Sequence, residues 1–360
     1  MSKINNFLKT LRTSIGSTQK YGLVSGNQSG DLDSVICAIT YAYFSHQVDP
    51  QRPLLPFLNF ARADLSARKD IELVFLSNGL DANQLYYVDD LEHLSPNELV
   101  LVDHNSPQGK IAELELEVTG IIDHHEDEGL FLNSEPRIIE KTGSCSTLVA
   151  KYWLEKGATL DSEVVRLLLA PLVIDTRNLT SRMETQDYEM AKKYASFIPA
   201  QDTTTWFTQL QEAKEDISSL TAREILTKDY KFFEFGVGSA EVEKNVGFSS
   251  VVKPFEWLLE HHTDFKDQMK KYLSDLSLDI LVVMTSFEKN GNFCRQIVFI
   301  AKDESDKLLI KLAKDSKLDK ELDLEVEKTT ESGLTIYNQK NIKASRKQVV
   351  PALKQALESL

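Results

Sequence analysis

The chain has 360 residues, 42% hydrophobic and 27% charged, with a formal net charge of −14, a composition that suits a soluble globular protein too long for one ordinary core. The acidity argues against nucleic acid bound over a broad surface, which needs a basic face, and no window approaches the roughly 20 apolar residues that span a bilayer. Cys37, Cys145 and Cys294 lack any C-x-x-C spacing, which argues against a disulfide framework or a thiolate metal site and for small buried hydrophobes in a reducing compartment.

Residues 1–30 contain no Asp or Glu but carry Lys3, Lys9, Arg12 and Lys20, the composition of a weak mitochondrial transit peptide. Ile4, Phe7, Leu8, Leu11 and Ile15 have helical spacing, however, and the first strand begins at Tyr21. The favoured reading is an amphipathic helix packed on a cytoplasmic protein, with the mitochondrial matrix as the alternative. Short apolar runs then predict strands at 21–25, 53–59, 99–103, 119–123 and 137–140. Helical patterns follow at 33–45, 66–76, 144–156, 161–174 and 187–196. This alternation predicts an α/β domain over 1–200, a mostly parallel sheet flanked by helices. Residues 201–222 are polar, helical in pattern and without a strong apolar stripe, which suits a linker or hinge. A second α/β unit follows over 223–360, with strands at 230–235, 245–251, 279–286, 295–301 and 334–337 and helices at 254–273 and 346–357.

Three acidic signatures stand where strands end, and in open sheets of this kind ligands sit beyond the carboxyl ends of strands. Gly26-Asn27-Gln28-Ser29-Gly30-Asp31-Leu32-Asp33-Ser34 turns from strand to helix, so Asp31 and Asp33 are metal ligands or, read plainly, a loop residue and a helix cap. Leu101-Val102-Asp103-His104-Asn105 ends an apolar strand in a carboxylate. In Asp123-His124-His125 the adjacent imidazoles point to different faces, so one can bind metal while the other meets substrate or a supporting partner of the ligands. Asp175 ends an apolar helix and completes a set of O and N ligands suited to Mg²⁺ or Mn²⁺. Two such ions about 3.5–4 Å apart would serve in-line displacement at phosphorus by an activated water. His261-His262, in a charged helical stretch, reads as structural or solvated.

The order D-x-D-S, D-H-N, D-H-H and a helix ending in D-T resembles the DHH phosphoesterase superfamily. The second half resembles its DHHA2 branch through Lys228-Asp229-Tyr230-Lys231 and Ala344-Ser345-Arg346-Lys347-Gln348-Val349-Val350-Pro351. The resemblance implies an active site in the interdomain cleft. It implies one metal held by Asp33, Asp103, His124 and Asp175 and another by Asp31 and Asp103 near Asn27, with Asp103 bridging. It also implies that His125 contacts the phosphoryl group and that Lys231, Ser345, Arg346 and Lys347 hold substrate. Arg137 and Arg177 are further basic candidates, and Ser144 at a helix start is either a phosphate contact or an ordinary cap.

Family II pyrophosphatases have a metal-binding His at the position of Asn27. With Asn there and Asp123-His124-His125 intact, the chain is similar to fungal cytosolic exopolyphosphatases. The expected activity is release of terminal orthophosphate from inorganic polyphosphate by a monomer with two divalent ions, and no nucleic-acid or membrane partner is expected. The alternatives are a manganese-dependent inorganic pyrophosphatase, a prune-like nucleotide phosphoesterase, and a phosphate-binding regulatory protein without turnover.

Overall fold

The computed structural model describes residues 2–14, 20–199, 202–238, 240–330 and 333–359, so Ile15 and Gln201 lie outside the described residues. The chain forms two compact units that divide between Asp216 and Ile217.

The first unit is built on six strands, β1 (Gly22–Ser25), β2 (Leu54–Leu58), β3 (Tyr86–Tyr87), β4 (Glu98–Val102), β5 (Val118–Asp123) and β6 (Arg137–Ile139). They lie in the order β3-β2-β1-β4-β5-β6 and every pairing is parallel. Every residue of β1 and β2 is buried, as the continuous apolar runs of a sheet covered on both faces require. The covering helices are α1 (Lys3–Ser14), α2 (Leu32–Val48), α3 (Lys69–Asn78), α4 (Cys145–Glu155), α5 (Ser162–Asp175), α6 (Thr185–Ala195) and α7 (Thr203–Glu215). Residues 32–45 of α2 are buried throughout, so this helix is central. The strand order reverses between β1 and β4, and such a switch point opens a crevice at the strands' carboxyl ends.

The N-terminal helix is part of this core. Ile4, Phe7, Leu8 and Leu11 are buried, and the Glu163 carboxylate accepts the first amides of α1, from Lys3 at 2.8 Å and Ile4 at 3.0 Å. Helix α7, in the span read as a linker, packs against α3 and α5. Its Leu210 is fully buried, and Trp206 and Phe207 lie partly buried against the same core. Three apolar residues on one face suffice to dock a helix whose overall pattern is polar.

The second unit carries β7 (Tyr230–Val237), β8 (Ala240–Val251), β9 (Ile280–Lys289), β10 (Asn292–Ala301), β11 (Leu324–Thr329) and β12 (Thr335–Gln339). Their order is β11-β12-β10-β9-β8-β7; the β8–β9 pair is parallel and the others antiparallel, which makes the sheet mixed. Its helices are α8 (Ala222–Lys228), α9 (Phe255–His261), α10 (Phe265–Asp275), α11 (Glu304–Ala313), α12 (Asp319–Leu322) and α13 (Arg346–Glu358). The single helix predicted over 254–273 is two. The chain breaks at 262–264, where the His262 amide still bonds Leu258 but Phe265 must turn inward, fully buried, to start α10.

Candidate metal centre

The loops after β1, β4 and β5 and the end of α5 supply the acidic and imidazole side chains. Asp103 follows β4 with φ 63°, a left-handed conformation that Asp tolerates better than most residues. It is 2% exposed. Its Oδ2 accepts from Ser34 Oγ at 2.6 Å and Asn27 Nδ2 at 2.9 Å, and its Oδ1 lies 3.2 Å from His124 Nε2. Asn27 is therefore a donor to Asp103. Its loop is held from behind by Arg68, whose guanidinium donates to the Gly30 carbonyl at 3.0 Å and the Ser29 carbonyl at 2.9 Å and lies over the Phe60 ring. Gly30 has φ +55°, and a Cβ there would sit 2.2 Å from that ring, so this turn requires glycine.

Asp31 is exposed and caps α2, accepting from the Ser34 amide at 3.0 Å. Asp33 is buried and turned toward the start of α4. It accepts from Cys145 N–H at 2.6 Å, Ser144 Oγ at 2.9 Å and Ser146 N–H at 3.0 Å. Asp175 is the last residue of α5, at the negative end of the helix dipole, and its buried Oδ2 has no partner among the described residues.

The ring planes of His124 and His125 stand at 88°, but a nitrogen of each faces Asp103 Oδ1, His124 Nε2 at 3.2 Å and His125 Nδ1 at 3.9 Å, so the imidazoles converge on one carboxylate rather than point apart. His124 Nδ1 lies 3.0 Å from the Thr142 carbonyl; as the donor there, it leaves Nε2 toward Asp103 as a ligand atom. His125 Nδ1 lies 2.8 Å from Asp123 Oδ1, and its side chain is 45% exposed. Asp123 is itself fixed by Asn105 Nδ2 at 2.6 Å. Ligand atoms of Asp103, His124 and His125 all lie within 4.8 Å of one another, a trio that includes His125, read above as a phosphoryl contact.

The electrostatics agree on one deficit. Burial raises the carboxyls of Asp33 and Asp103 above their ordinary range, with Asp31 adding to it, and Asp103 is pushed up to about 7. Burial and then Asp33 raise Asp175 well above its ordinary value. Burial opposes protonation of His124, yet its bond to Asp103 and the charges of Asp33, Asp103 and Asp175 outweigh it and raise the imidazole to about 10. All four shifts mean that the folded site takes up protons for want of positive charge. The converging ligand atoms of Asp103, His124 and His125 fit a divalent cation, and Asp33 and Asp175, whose Oδ2 is buried without a partner among the described residues, add negative charge around it.

The remaining candidates are placed differently. Ser144 is fully buried, caps α4 and donates to Asp33, so the cap reading accounts for its hydroxyl and the expected phosphate contact has no free donor here. Arg137 holds Asp127 through both terminal nitrogens, at 2.9 and 2.5 Å. Arg177 is exposed in a left-handed turn just past Asp175. In the second unit, Arg346 opens α13 and bonds Asp229 Oδ1 at 2.7 Å and the Asp229 carbonyl at 3.0 Å, which joins the two sequence signatures of that half. Ser345 caps α13 through Gln348, while Lys231 on β7 and Lys347 are exposed. His261 stacks on Trp257 at 4.0 Å, a structural role. The sequence reading missed Ser34, Asn105 and Asp187 as supports. Ser34 stood in a quoted motif, but nothing marked its hydroxyl as reaching a strand 69 residues away.

The model of the DHH family, N-terminal domain, matches residues 23–172, and that of the DHHA2 domain matches residues 208–356. A "Putative exopolyphosphatase" of Schizosaccharomyces pombe is 31% identical, over 99% of this chain and 96% of its own. "Exopolyphosphatase PRUNE1" of Rattus norvegicus is 27% identical, over 99% of this chain and 80% of its own. A "Manganese-dependent inorganic pyrophosphatase" of Methanothrix thermoacetophila is 27% identical, over 72% and 79%. The crystal structure of a "putative family II inorganic pyrophosphatase" of Methanococcus jannaschii superposes with a TM-score of 0.60 at 22% identity, covering 93% of this chain and 98% of that one, which establishes a common fold. Motifs, fold and relatives agree: the chain belongs to the DHH phosphoesterase family, in the branch whose second domain is DHHA2.

Proposed function

We propose that this hydrolase is a divalent-metal-dependent exopolyphosphatase that releases orthophosphate from the end of inorganic polyphosphate. The observation that carries the choice of substrate is Asn27: its amide is engaged with Asp103 where the pyrophosphatase pattern has a metal-binding His, so one cation position is poorer in ligands. The S. pombe and rat relatives named as exopolyphosphatases, aligned over 99% of the chain, support the same choice.

Asp33, Asp103, His124 and Asp175 would hold one cation and Asp31 with Asp103 a second, Mg²⁺ or Mn²⁺. Such ions supply Lewis-acid stabilisation of an in-line displacement and activate the attacking water. The protein's own groups do the rest. Thr142 fixes the His124 tautomer, and Asn27 with Ser34 fixes the Asp103 rotamer. The Asp123 hydrogen bond raises the His125 imidazole above its ordinary value, so its outward Nε2–H is a cationic donor for a terminal phosphoryl oxygen. Lys231, Arg346 and Lys347 are assigned to the departing polyphosphate, with Arg346 held ready by Asp229.

Product analysis tests the reading. Long-chain polyphosphate incubated with Mg²⁺ or Mn²⁺ should yield orthophosphate from the first turnover while the remaining chains stay long. Internal cleavage into mid-length chains, or release undiminished by a chelator, would reject it. A manganese-dependent pyrophosphatase is the second reading, favoured by the Methanothrix relative.

A further inference from the structure

Asp187 lies 12 residues beyond the last of the proposed metal ligands, is fully buried, and has no cation among its hydrogen-bond partners in the described residues. Its Oδ2 accepts the Gly143 amide at 2.7 Å and the Glu184 amide at 2.8 Å, and its Oδ1 accepts Thr147 Oγ1 at 2.7 Å. Two of these three donors belong to the segment 142–147. That segment supplies the carbonyl of Thr142 to His124 Nδ1 at 3.0 Å. It also supplies the Ser144 hydroxyl and the Cys145 and Ser146 amides to Asp33.

The segment is pressed from the other side as well. A Cβ on Gly143 would lie 2.5 Å from Thr176 Cγ2 and 2.7 Å from the Arg182 carbonyl, and Thr176 is the neighbour of Asp175. Gly143 is thus wedged between Asp187 and the turn that ends α5. One carboxylate touching no ligand is linked, through a single short segment, to Asp33 and His124 directly and to Asp175 by packing.

We propose that Asp187 is a positioning residue of the metal centre, anchoring the 142–147 segment so that Asp33, His124 and Asp175 keep one mutual geometry. This rests on the metal-site reading above. The chemistry also fixes which replacement should serve. An Asn amide oxygen can accept both backbone amides, and its NH₂ can donate to Thr147 Oγ1, since a hydroxyl rotates to accept as well as donate. Ala leaves all three donors without an acceptor.

The test is Mn²⁺ binding alone to the metal-free full chain, read from loss of the free-ion EPR signal, with far-UV circular dichroism as the check on folding. Outer partners of metal ligands typically govern about 10–100-fold in affinity, so Asp187→Ala should weaken Mn²⁺ binding by about that factor while Asp187→Asn restores most of it. Thr147→Val keeps both amide bonds and should weaken binding by a smaller factor, which gives a reading even where Asp187→Ala does not fold. Wild-type affinity in folded Asp187→Ala, or in Thr147→Val, would overturn the proposal, as would an Asn variant as weak as the Ala variant. Failure of the wild-type protein to bind Mn²⁺ would instead sink the metal-site reading itself.

Discussion

Replacing Asp103 with Asn separates its charge from its shape. The left-handed φ of 63° suits Asn as well as Asp. The new amide oxygen can take the place of Oδ2, accepting from Ser34 and Asn27, while the amide nitrogen faces His124 Nε2. The fold should therefore persist. What changes is a carboxyl at about 7 in the folded metal-free site against an ordinary 3.8, raised first by burial and then by Asp31. A raised carboxyl contributes stability that is complete below 3.8 and is lost as pH rises through the folded value. At about 1.36 kcal/mol per pH unit the wild-type loss reaches about 4 kcal/mol above pH 7, and Asn suffers none of it. Urea unfolding in EDTA should thus find Asp103→Asn more stable than wild type at pH 8, by up to about 4 kcal/mol, with the difference closing near pH 4. With Mn²⁺ the order should reverse and turnover should be absent from the variant. A metal-free variant less stable than wild type at pH 8, or a folded variant that still hydrolyses substrate, would refute the reasoning.

Asn27→His removes a donor to Asp103 and adds an imidazole ligand, so pyrophosphate cleavage should rise relative to polyphosphate; an unchanged ratio of the two kcat/KM values would remove Asn27 from specificity. Leu8→Ala, at a side chain 1% exposed in α1, should cost about 2–5 kcal/mol in chemical denaturation, and a change below about 1 kcal/mol would mean that α1 is dispensable to the core. Asp161 caps α5 through Glu163 and Val164 and pairs with Lys3. Burial opposes its ionisation, but the bonds from Lys3 and Val164 hold its carboxyl below the ordinary value. The wild-type advantage over Asp161→Ala should be about 1 kcal/mol at pH 6, present above 3.8 and fading as pH falls through the lowered value. An advantage that grows on acidification would contradict that sign.

Strands β1, β2, β4 and β5 were legible as short, mostly apolar and almost wholly buried runs, and the acidic motifs were legible because they follow those runs at the carboxyl end. β3 was missed because two tyrosines make no run. α11 was missed for another reason. Ile310 and Ala313 face the core while Leu308 and Leu312 point to solvent, so its apolar residues do not form one stripe. The 254–273 helix was overextended because Phe255, Leu258, Phe265 and Met269 keep near-helical spacing across a break that only packing reveals. At the site, residue types announced the ligands but not their supports. Asp33 is held largely by amides of Cys145 and Ser146, 112 and 113 residues away, and His124 by a carbonyl. Backbone groups leave no mark on composition. Asp187 looked like the start of a helix, and in part it is one; its second role appears only when Gly143 is seen against it.

The central claim is the substrate, and the most direct test is orthophosphate release from long-chain polyphosphate and from pyrophosphate, side by side, with Mg²⁺ and with Mn²⁺. The account predicts rapid release from polyphosphate with pyrophosphate left uncleaved at the end. Preferential cleavage of pyrophosphate would contradict it and make this chain a pyrophosphatase whose centre holds Asn27 in place of an imidazole.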